Sequence, residues 1–197
     1  MNTRFSCIGK SWLSAARVCF AFFLSFALVS AGISPAYADV RLADIVYGES
    51  VEDRSLSVAQ CPSIDAQYAY VMDTEGTVYF QRNADTETQI ASITKVMTAI
   101  VALENASLDT AITVSAAAAA IGESSASLKE GDVLALDQAL TAMLVSSGND
   151  AALAIAETLG APWAVSGQSA VQAFAEKMNE KADQLGMEHS VFENPHG

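Results

Sequence analysis

The spacing of hydrophobic and polar positions changes character several times along the chain. From Val18 to Ile33 the apolar residues run on with only Ser25, Ser30 and Gly32 between them. At residues 68–72 a short run, Tyr68, Ala69, Tyr70, Val71 and Met72, is followed by the turn residues Asp73, Thr74, Glu75 and Gly76, and then by Val78, Tyr79 and Phe80 within 77–81. Two such runs about a polar, glycine-containing turn predict a β-hairpin. The pattern then becomes helical. Ile93, Val96, Met97, Ile100, Val101 and Leu103 cover most of a helix circumference, leaving Thr94, Lys95, Thr98 and Glu104 polar. A helix apolar on nearly all sides is expected in the interior, and this one carries Lys95 into low-dielectric surroundings with it.

Downstream, Ile112, Thr113 and Val114 predict a short strand, and Ser115 is a cap for the alanine tract at 116–120. Lys129, Glu130, Gly131 and Asp132 form a turn; Asp137 is expected to cap a helix through Val145. The Ser147-Gly148-Asn149 loop feeds a helix at 150–159, ended by Gly160 and Pro162, and a last helix runs over about 170–185 with Gly186 as its stop. There are no internal repeats.

Arg4, Lys10 and Arg17 precede the apolar run at 18–33, and Ala36-Tyr37-Ala38 follows it. This is the layout of a secretory signal peptide, residues 1–38. The run is short of the roughly 20 residues a spanning helix needs, so an exported protein of the cell envelope is expected. Membrane association is expected only through a segment beyond this chain. Residues 39–63 are polar and weakly periodic, a linker or N-terminal arm, and 64–197 form the folded part.

Removal of the leader leaves seven of the ten basic residues against all 23 acidic ones, a formal charge of −16. Such a surface repels phosphate backbones, so nucleic acid is not expected as a partner. Cys7 and Cys19 leave with the leader, and Cys61 stays alone, as a free thiol or paired outside this sequence. His189 and His196 lack the spacing and carboxylate neighbours of a metal site, and neither a metal nor a cofactor is expected. Trp163 is expected to pack rather than to bind.

Ser92-Ile93-Thr94-Lys95 carries the chemistry. Residues three apart share a helix face, so Ser92 at the amino end and Lys95 one turn later bring a hydroxyl and an amine within reach. The helix start favours negative charge on an attacked carbonyl oxygen. Lys95 can serve as base only if its proton affinity falls from about 10.4. A Ser-x-x-Lys tetrad arises by chance about once in a few hundred residues, and most are a helix cap beside a snorkelling lysine. Here the helix has no polar face for Lys95, and Ser147-Gly148-Asn149 follows. Alone, that second motif is helix punctuation. Paired with the first, Ser147 becomes a proton shuttle to a leaving amine, and the Asn149 amide a ligand for a substrate carbonyl and for Lys95.

These segments, with Leu128-Lys129-Glu130-Gly131-Asp132, Met178-Asn179, Leu185-Gly186-Met187 and Phe192-Glu193-Asn194-Pro195-His196-Gly197, resemble the penicillin-binding serine D-alanyl-D-alanine carboxypeptidases from Tyr68 to the last residue. The resemblance implies an α/β fold of the serine β-lactamase and penicillin-binding transpeptidase type, an antiparallel sheet flanked by helices. It makes Ser92 the acylated nucleophile, Lys95 its base, Ser147 the third catalytic residue and Asn149 a substrate ligand. The implied substrate is a peptidoglycan stem peptide ending in D-Ala-D-Ala, with β-lactam antibiotics as covalent inhibitors.

The family's Lys-Thr-Gly strand has no match after Asn149, and Lys129-Glu130-Gly131 lies before the second motif, in a turn. The expectation is therefore an amino-terminal portion of the catalytic domain, lacking C-terminal strands and inactive alone if that strand is needed. A class A β-lactamase would have Asp in place of Gly148 and a deacylating glutamate on a later loop; Glu157, Glu176 and Glu193 are not in such a setting. A non-catalytic peptidoglycan- or β-lactam-binding module is the third possibility.

Overall fold

The structure, a computed structural model, describes residues 44–50, 53 and 64–197. The leader at 1–38 and Cys61 lie outside the described residues. The described residues fall into two compact units, one ending at Thr86 and one running Glu87–Gly197.

The first unit is a four-stranded antiparallel sheet of β1 (Ile45–Val46), β2 (Glu49–Ser50), β3 (Ala69–Met72) and β4 (Val78–Arg82), in the order β2-β1-β4-β3. The expected hairpin is β3 and β4. Asp73 shapes its turn, accepting from the Glu75 and Thr77 N–H groups at 3.0 and 2.8 Å. β1 and β2 fall within 39–63, a stretch whose polar composition suggested an arm. Ile45 and Val46 pair with Gln81 and Phe80, and the link to β2 is a two-residue turn with Tyr47 and Gly48 both at positive φ, 52° and 80°. Beneath the sheet the buried Arg82 guanidinium holds the buried Asp44 carboxylate, with Nε at 2.9 Å from Oδ1 and Nη2 at 2.6 Å from Oδ2.

The second unit is mainly helical. Helix α1 (Thr94–Asn105) follows a 3-10 turn at Ala91–Ile93; β5 (Ala111–Thr113) pairs antiparallel with β6 (Val133–Ala135), with Ile112 opposite Leu134; α2 (Ala116–Ala120), α3 (Leu136–Val145), α4 (Asn149–Gly160) and α5 (Ala170–Gln184) complete it. Ser115 caps α2 as expected, its Oγ accepting from the Ala118 N–H at 3.0 Å. Helix α3 starts earlier than expected: Asp137 lies in its first turn, and Gln138 Oε1 reaches back to the Ala135 N–H at 3.1 Å.

Helix α4 is the hub. Ala151, Ala152, Ala154, Ile155, Ala156 and Leu159 are buried, and α1, α2, α3, α5 and β5 all pack on it. Its alanines supply little bulk, so neighbouring backbones come close. At its end Gly160 is helical (φ −77°), not a left-handed stop. Its role is spacing: a Cβ there would lie 2.0 Å from the Ala170 carbonyl oxygen at the head of α5. Helix α5 does stop as read, with Gly186 at φ +73° and the Met187 N–H returning to the Ala182 carbonyl at 2.9 Å. Trp163 stacks on Phe174, ring centroids 5.9 Å apart. No helix of the described residues is long and apolar enough to cross a membrane.

One expectation needs correction. Helix α1 is not enclosed on all sides: Ile93, Val96 and Leu103 are 68%, 53% and 53% exposed. They form one stripe at helical spacing, whereas Lys95, Met97, Thr98, Val101 and Ala102 face inward and are buried.

Candidate active site

Ser92 sits in the 3-10 turn that opens α1, exposed to solvent, with Lys95 beneath it at 2% exposure. The Lys95 Nζ is 2.9 Å from Ser92 Oγ, so the three-residue spacing delivers the contact it predicted. Ser147, 55 positions along, donates its hydroxyl to the same Oγ at 2.8 Å. Both residues flanking this contact are strained. Ala91, just before Ser92, has φ +45°, and Ser147 has φ +54°. A non-glycine residue in that region costs on the order of 1–3 kcal/mol and persists only where its surroundings fix it.

The last residues of the chain supply part of that fixing. Asn179 on α5 clamps Phe192 from both sides, accepting from its N–H at 2.7 Å and donating to its carbonyl at 2.8 Å. Asn194 Oδ1 then accepts from the His196 and Gly197 N–H groups at 3.0 and 2.6 Å. The turn so formed presents two carbonyls to α1: that of Pro195 to the buried Thr98 hydroxyl at 2.7 Å, and that of His196 to Lys95 Nζ at 3.0 Å. Gly197 closes on the 3-10 turn that holds Ser92. A Cβ there would lie 2.0 Å from the Ala91 carbonyl oxygen and 3.0 Å from Thr94 Oγ1.

Burial holds the Lys95 ammonium below its ordinary pKa, and the Glu123 carboxylate opposes that shift without overcoming it. An amine with one oxygen to receive its N–H and a hydroxyl within 2.9 Å is arranged to take that hydroxyl's proton. The half-buried His196 imidazole is likewise held below its usual value, by burial first and then by the charge on Lys95, with Glu123 again opposing.

Asn149 departs from expectation. It is buried at the start of α4, but its amide donates to the Gly122 carbonyl at 3.2 Å, and its backbone N–H donates to the Ser124 carbonyl at 2.9 Å. No hydrogen bond joins it to Lys95. The structure thus brings Ser92, Lys95 and Ser147 together and turns Asn149 toward the loop at 121–131.

Sequence reasoning passed over Asp150. It is fully buried (0% exposed) and accepts from the Ser125 hydroxyl at 2.6 Å and from the Ala126, Leu128 and Ala151 N–H groups at 3.0, 3.0 and 2.9 Å. Burial alone would raise its pKa, yet these donors together hold it below the ordinary carboxylate value. The carboxylate folds back over Gly148, where a Cβ would meet Oδ1 at 2.7 Å. This accounts for the glycine of the second motif. A charged residue at the second position of a helix that continues into alanines was the available signal. Glu123 carried no sequence signal of its own, and His196 was legible only as part of the closing segment; the fold alone brings them to Lys95.

The family description D-alanyl-D-alanine carboxypeptidase matches residues 55–197. The chain is 30% identical over 139 residues to the D-alanyl-D-alanine carboxypeptidase DacF of Bacillus subtilis (strain 168), covering 68% of this chain and 34% of that protein. It is 35% identical over 143 residues to the D-alanyl-D-alanine carboxypeptidase of Streptomyces sp. (strain K15), covering 68% and 47%. Among solved structures it resembles the carboxypeptidase DacD from Francisella tularensis, with a TM-score of 0.60 at 38% identity over 68% of this chain and 32% of that one. The Streptomyces K15 DD-transpeptidase gives a TM-score of 0.62 at 35% identity over 69% and 54%. The chain spans between a third and a half of the length of these curated relatives. These likenesses bear out the α/β penicillin-binding fold class, and the chain belongs to the D-alanyl-D-alanine carboxypeptidase family.

Proposed function

We propose that this protein is a serine-type D-Ala-D-Ala carboxypeptidase of the cell envelope that trims peptidoglycan stem peptides through an acyl-enzyme on Ser92. The observation that carries the proposal is one oxygen, Ser92 Oγ, exposed to solvent yet within hydrogen-bond distance of both a buried amine and a second hydroxyl. Neutral Lys95 takes the Ser92 proton as Oγ attacks the carbonyl carbon of the penultimate D-Ala. The amino end of α1 lies beside the oxygen that becomes negative. The C–N bond then breaks, Ser147 delivers a proton to the departing D-alanine nitrogen, and the proton held by Lys95 makes good that loss. Water attacks the resulting ester as Lys95 takes its proton, the bond from Ser92 Oγ to the acyl carbon breaks, that proton returns to Oγ, and the shortened peptide leaves. β-Lactams would acylate the same oxygen, and Asn149 would meet the substrate once its amide turns from Gly122. Export through the 1–38 leader brings the enzyme to this substrate.

Release of D-alanine from a synthetic stem pentapeptide tests the reaction. It is expected with the wild type and absent in Ser92→Ala. Hydrolysis of a chromogenic cephalosporin without D-alanine release would mark a β-lactamase instead. Covalent penicillin labelling with neither reaction would mark a binding module. A second outcome at the ester step, transfer of the acyl group to an amine acceptor in place of water, is supported by the likeness to the Streptomyces K15 DD-transpeptidase. Adding a D-amino acid acceptor to the pentapeptide assay reveals it as an exchanged terminus.

A further inference from the structure

Two hydrogen bonds locate the Lys95 amine, one to Ser92 Oγ at 2.9 Å and one to the His196 carbonyl at 3.0 Å. Proton abstraction uses the first, which leaves the second to orient the nitrogen. A neutral amine has two N–H bonds and one lone pair. Giving an N–H to the His196 carbonyl restricts where the lone pair can point and lets it face the Ser92 hydroxyl. A lysine side chain carries about 2 kcal/mol of rotamer entropy, so the carbonyl must itself be held still to hold the amine.

What holds it lies at the other end of the peptide plane. The C=O and N–H of one trans peptide share a plane and point in opposite directions. The His196 carbonyl shares such a unit with the Gly197 N–H, and the Pro195 carbonyl shares the preceding unit with the His196 N–H. Both N–H groups converge on Asn194 Oδ1, His196 at 3.0 Å and Gly197 at 2.6 Å. Both carbonyls consequently point away from it, to the Thr98 hydroxyl at 2.7 Å and to Lys95 Nζ at 3.0 Å. Those two residues are three apart, on one face of α1.

We propose that Asn194 is a positioning residue for the reaction: by gathering the His196 and Gly197 N–H groups, its Oδ1 turns the His196 carbonyl onto Lys95 and so sets the amine on Ser92 Oγ. This inference rests on the reading of Lys95 as the base of the site. An amide oxygen suits the task better than a carboxylate, because a negative charge one peptide unit from Lys95 would favour its ammonium form. Glu123 already acts on Lys95 in that sense, and the His196 imidazole is the other titratable group that interacts with it.

The test uses the full chain as wild type, Asn194→Ala, Asn194→Gln and Asn194→Asp, with thermal melting of each. Carbon-13 labels on the histidine carbonyls and on lysine Cε read the contact by NMR. In the wild type the His196 carbonyl is expected to shift in step with Lys95 Cε as pH rises, and Lys95→Met to abolish that step, which separates it from the response to the imidazole. Asn194→Ala should lose the shared step. Asn194→Gln, whose oxygen lies one methylene further out, should lose most of it. Acylation by a fluorescent penicillin, at saturation and on the alkaline plateau, should fall about 10- to 100-fold in Asn194→Ala, with the half-saturating concentration unchanged. Asn194→Asp keeps both acceptor contacts, so it should restore the plateau rate while moving the pH midpoint upward. If Asn194→Ala does not fold, Asn194→Gln decides. A folded Asn194→Ala or Asn194→Gln that melts lower yet keeps the shared carbonyl step, or keeps the plateau rate of an acylating wild type, would overturn the proposal. So would a wild-type His196 carbonyl that ignores the charge on Lys95. A wild type that never acylates counts against the proposed function, and the carbonyl titration still decides this inference.

Discussion

Replacing Gly148 by alanine tests the packing of the second motif in a way that separates sterics from backbone conformation. Gly148 has φ −64° and ψ 111°, which alanine adopts freely. All of the cost must therefore come from contact. The new Cβ would stand 2.7 Å from Asp150 Oδ1, 3.0 Å from Ala126 Cβ and 3.1 Å from the Ala142 carbonyl oxygen, where ordinary contact begins at 3.4 Å. Restoring that distance moves Oδ1 by about 0.7 Å, the difference of those two values. Such a move directed away from Gly148 stretches the bonds from the Ala126 and Ala151 N–H groups, now 3.0 and 2.9 Å. Hydrogen bonds to a charged group contribute about 1.5–3 kcal/mol each. Weakening both, with overpacking of about 1–3 kcal/mol, gives a loss of about 3–4 kcal/mol after partial relaxation. For a unit of this size that lowers the melting temperature by about 15 °C. Thermal unfolding followed by circular dichroism reads it, with Gly122→Ala as control, since nothing lies within 4 Å of a Cβ at Gly122. That control should melt unchanged or slightly higher. Equal melting of the two variants would refute the reasoning.

Lys95→Met is expected to abolish acylation of Ser92 while raising the melting temperature at neutral pH, because it removes a buried ammonium that folding disfavours. The sign follows from the lowered folded pKa: the cost is complete below that value and is relieved as pH rises from it toward the unfolded value of 10.5, so the advantage of the variant shrinks over that range. The acylation rate of the wild type should rise with pH through the same lowered pKa. Asp150, also lowered, contributes stability where Lys95 costs it: its stabilisation is complete above the ordinary 3.8 and lost as pH falls through its lower folded value. Asp150→Asn should accordingly flatten the acid limb of a melting-temperature profile, and an unchanged limb would contradict the burial described.

Local signals carried most of what the sequence revealed. The β3–β4 hairpin was legible from its turn residues, α2 from Ser115, the end of α5 from Gly186, and the Ser92–Lys95 contact from helical spacing. What escaped was long-range. The strands β1 and β2 are two residues each, and β1 becomes visible only by pairing with β4. β6 at Val133–Ala135 is a strand because β5 lies beside it. The apolar count of α1 suggested full enclosure, but a count does not say which stripe finds a partner. Gly160 was read as a stop because glycine ends helices, whereas close approach of Ala170 requires it. Asn149 and Asp150 were separated by chemistry the pattern does not encode: one side chain turned to a loop carbonyl, and the other gathered that loop's donors.

Incubation of the purified chain with a fluorescent penicillin, followed by denaturing electrophoresis and peptide mass analysis, tests the role of Ser92 most directly. One covalent adduct on Ser92, formed faster as pH rises and absent in both Ser92→Ala and Lys95→Met, is the predicted result. A folded wild type that stays unlabelled, or that labels equally without Lys95, contradicts it.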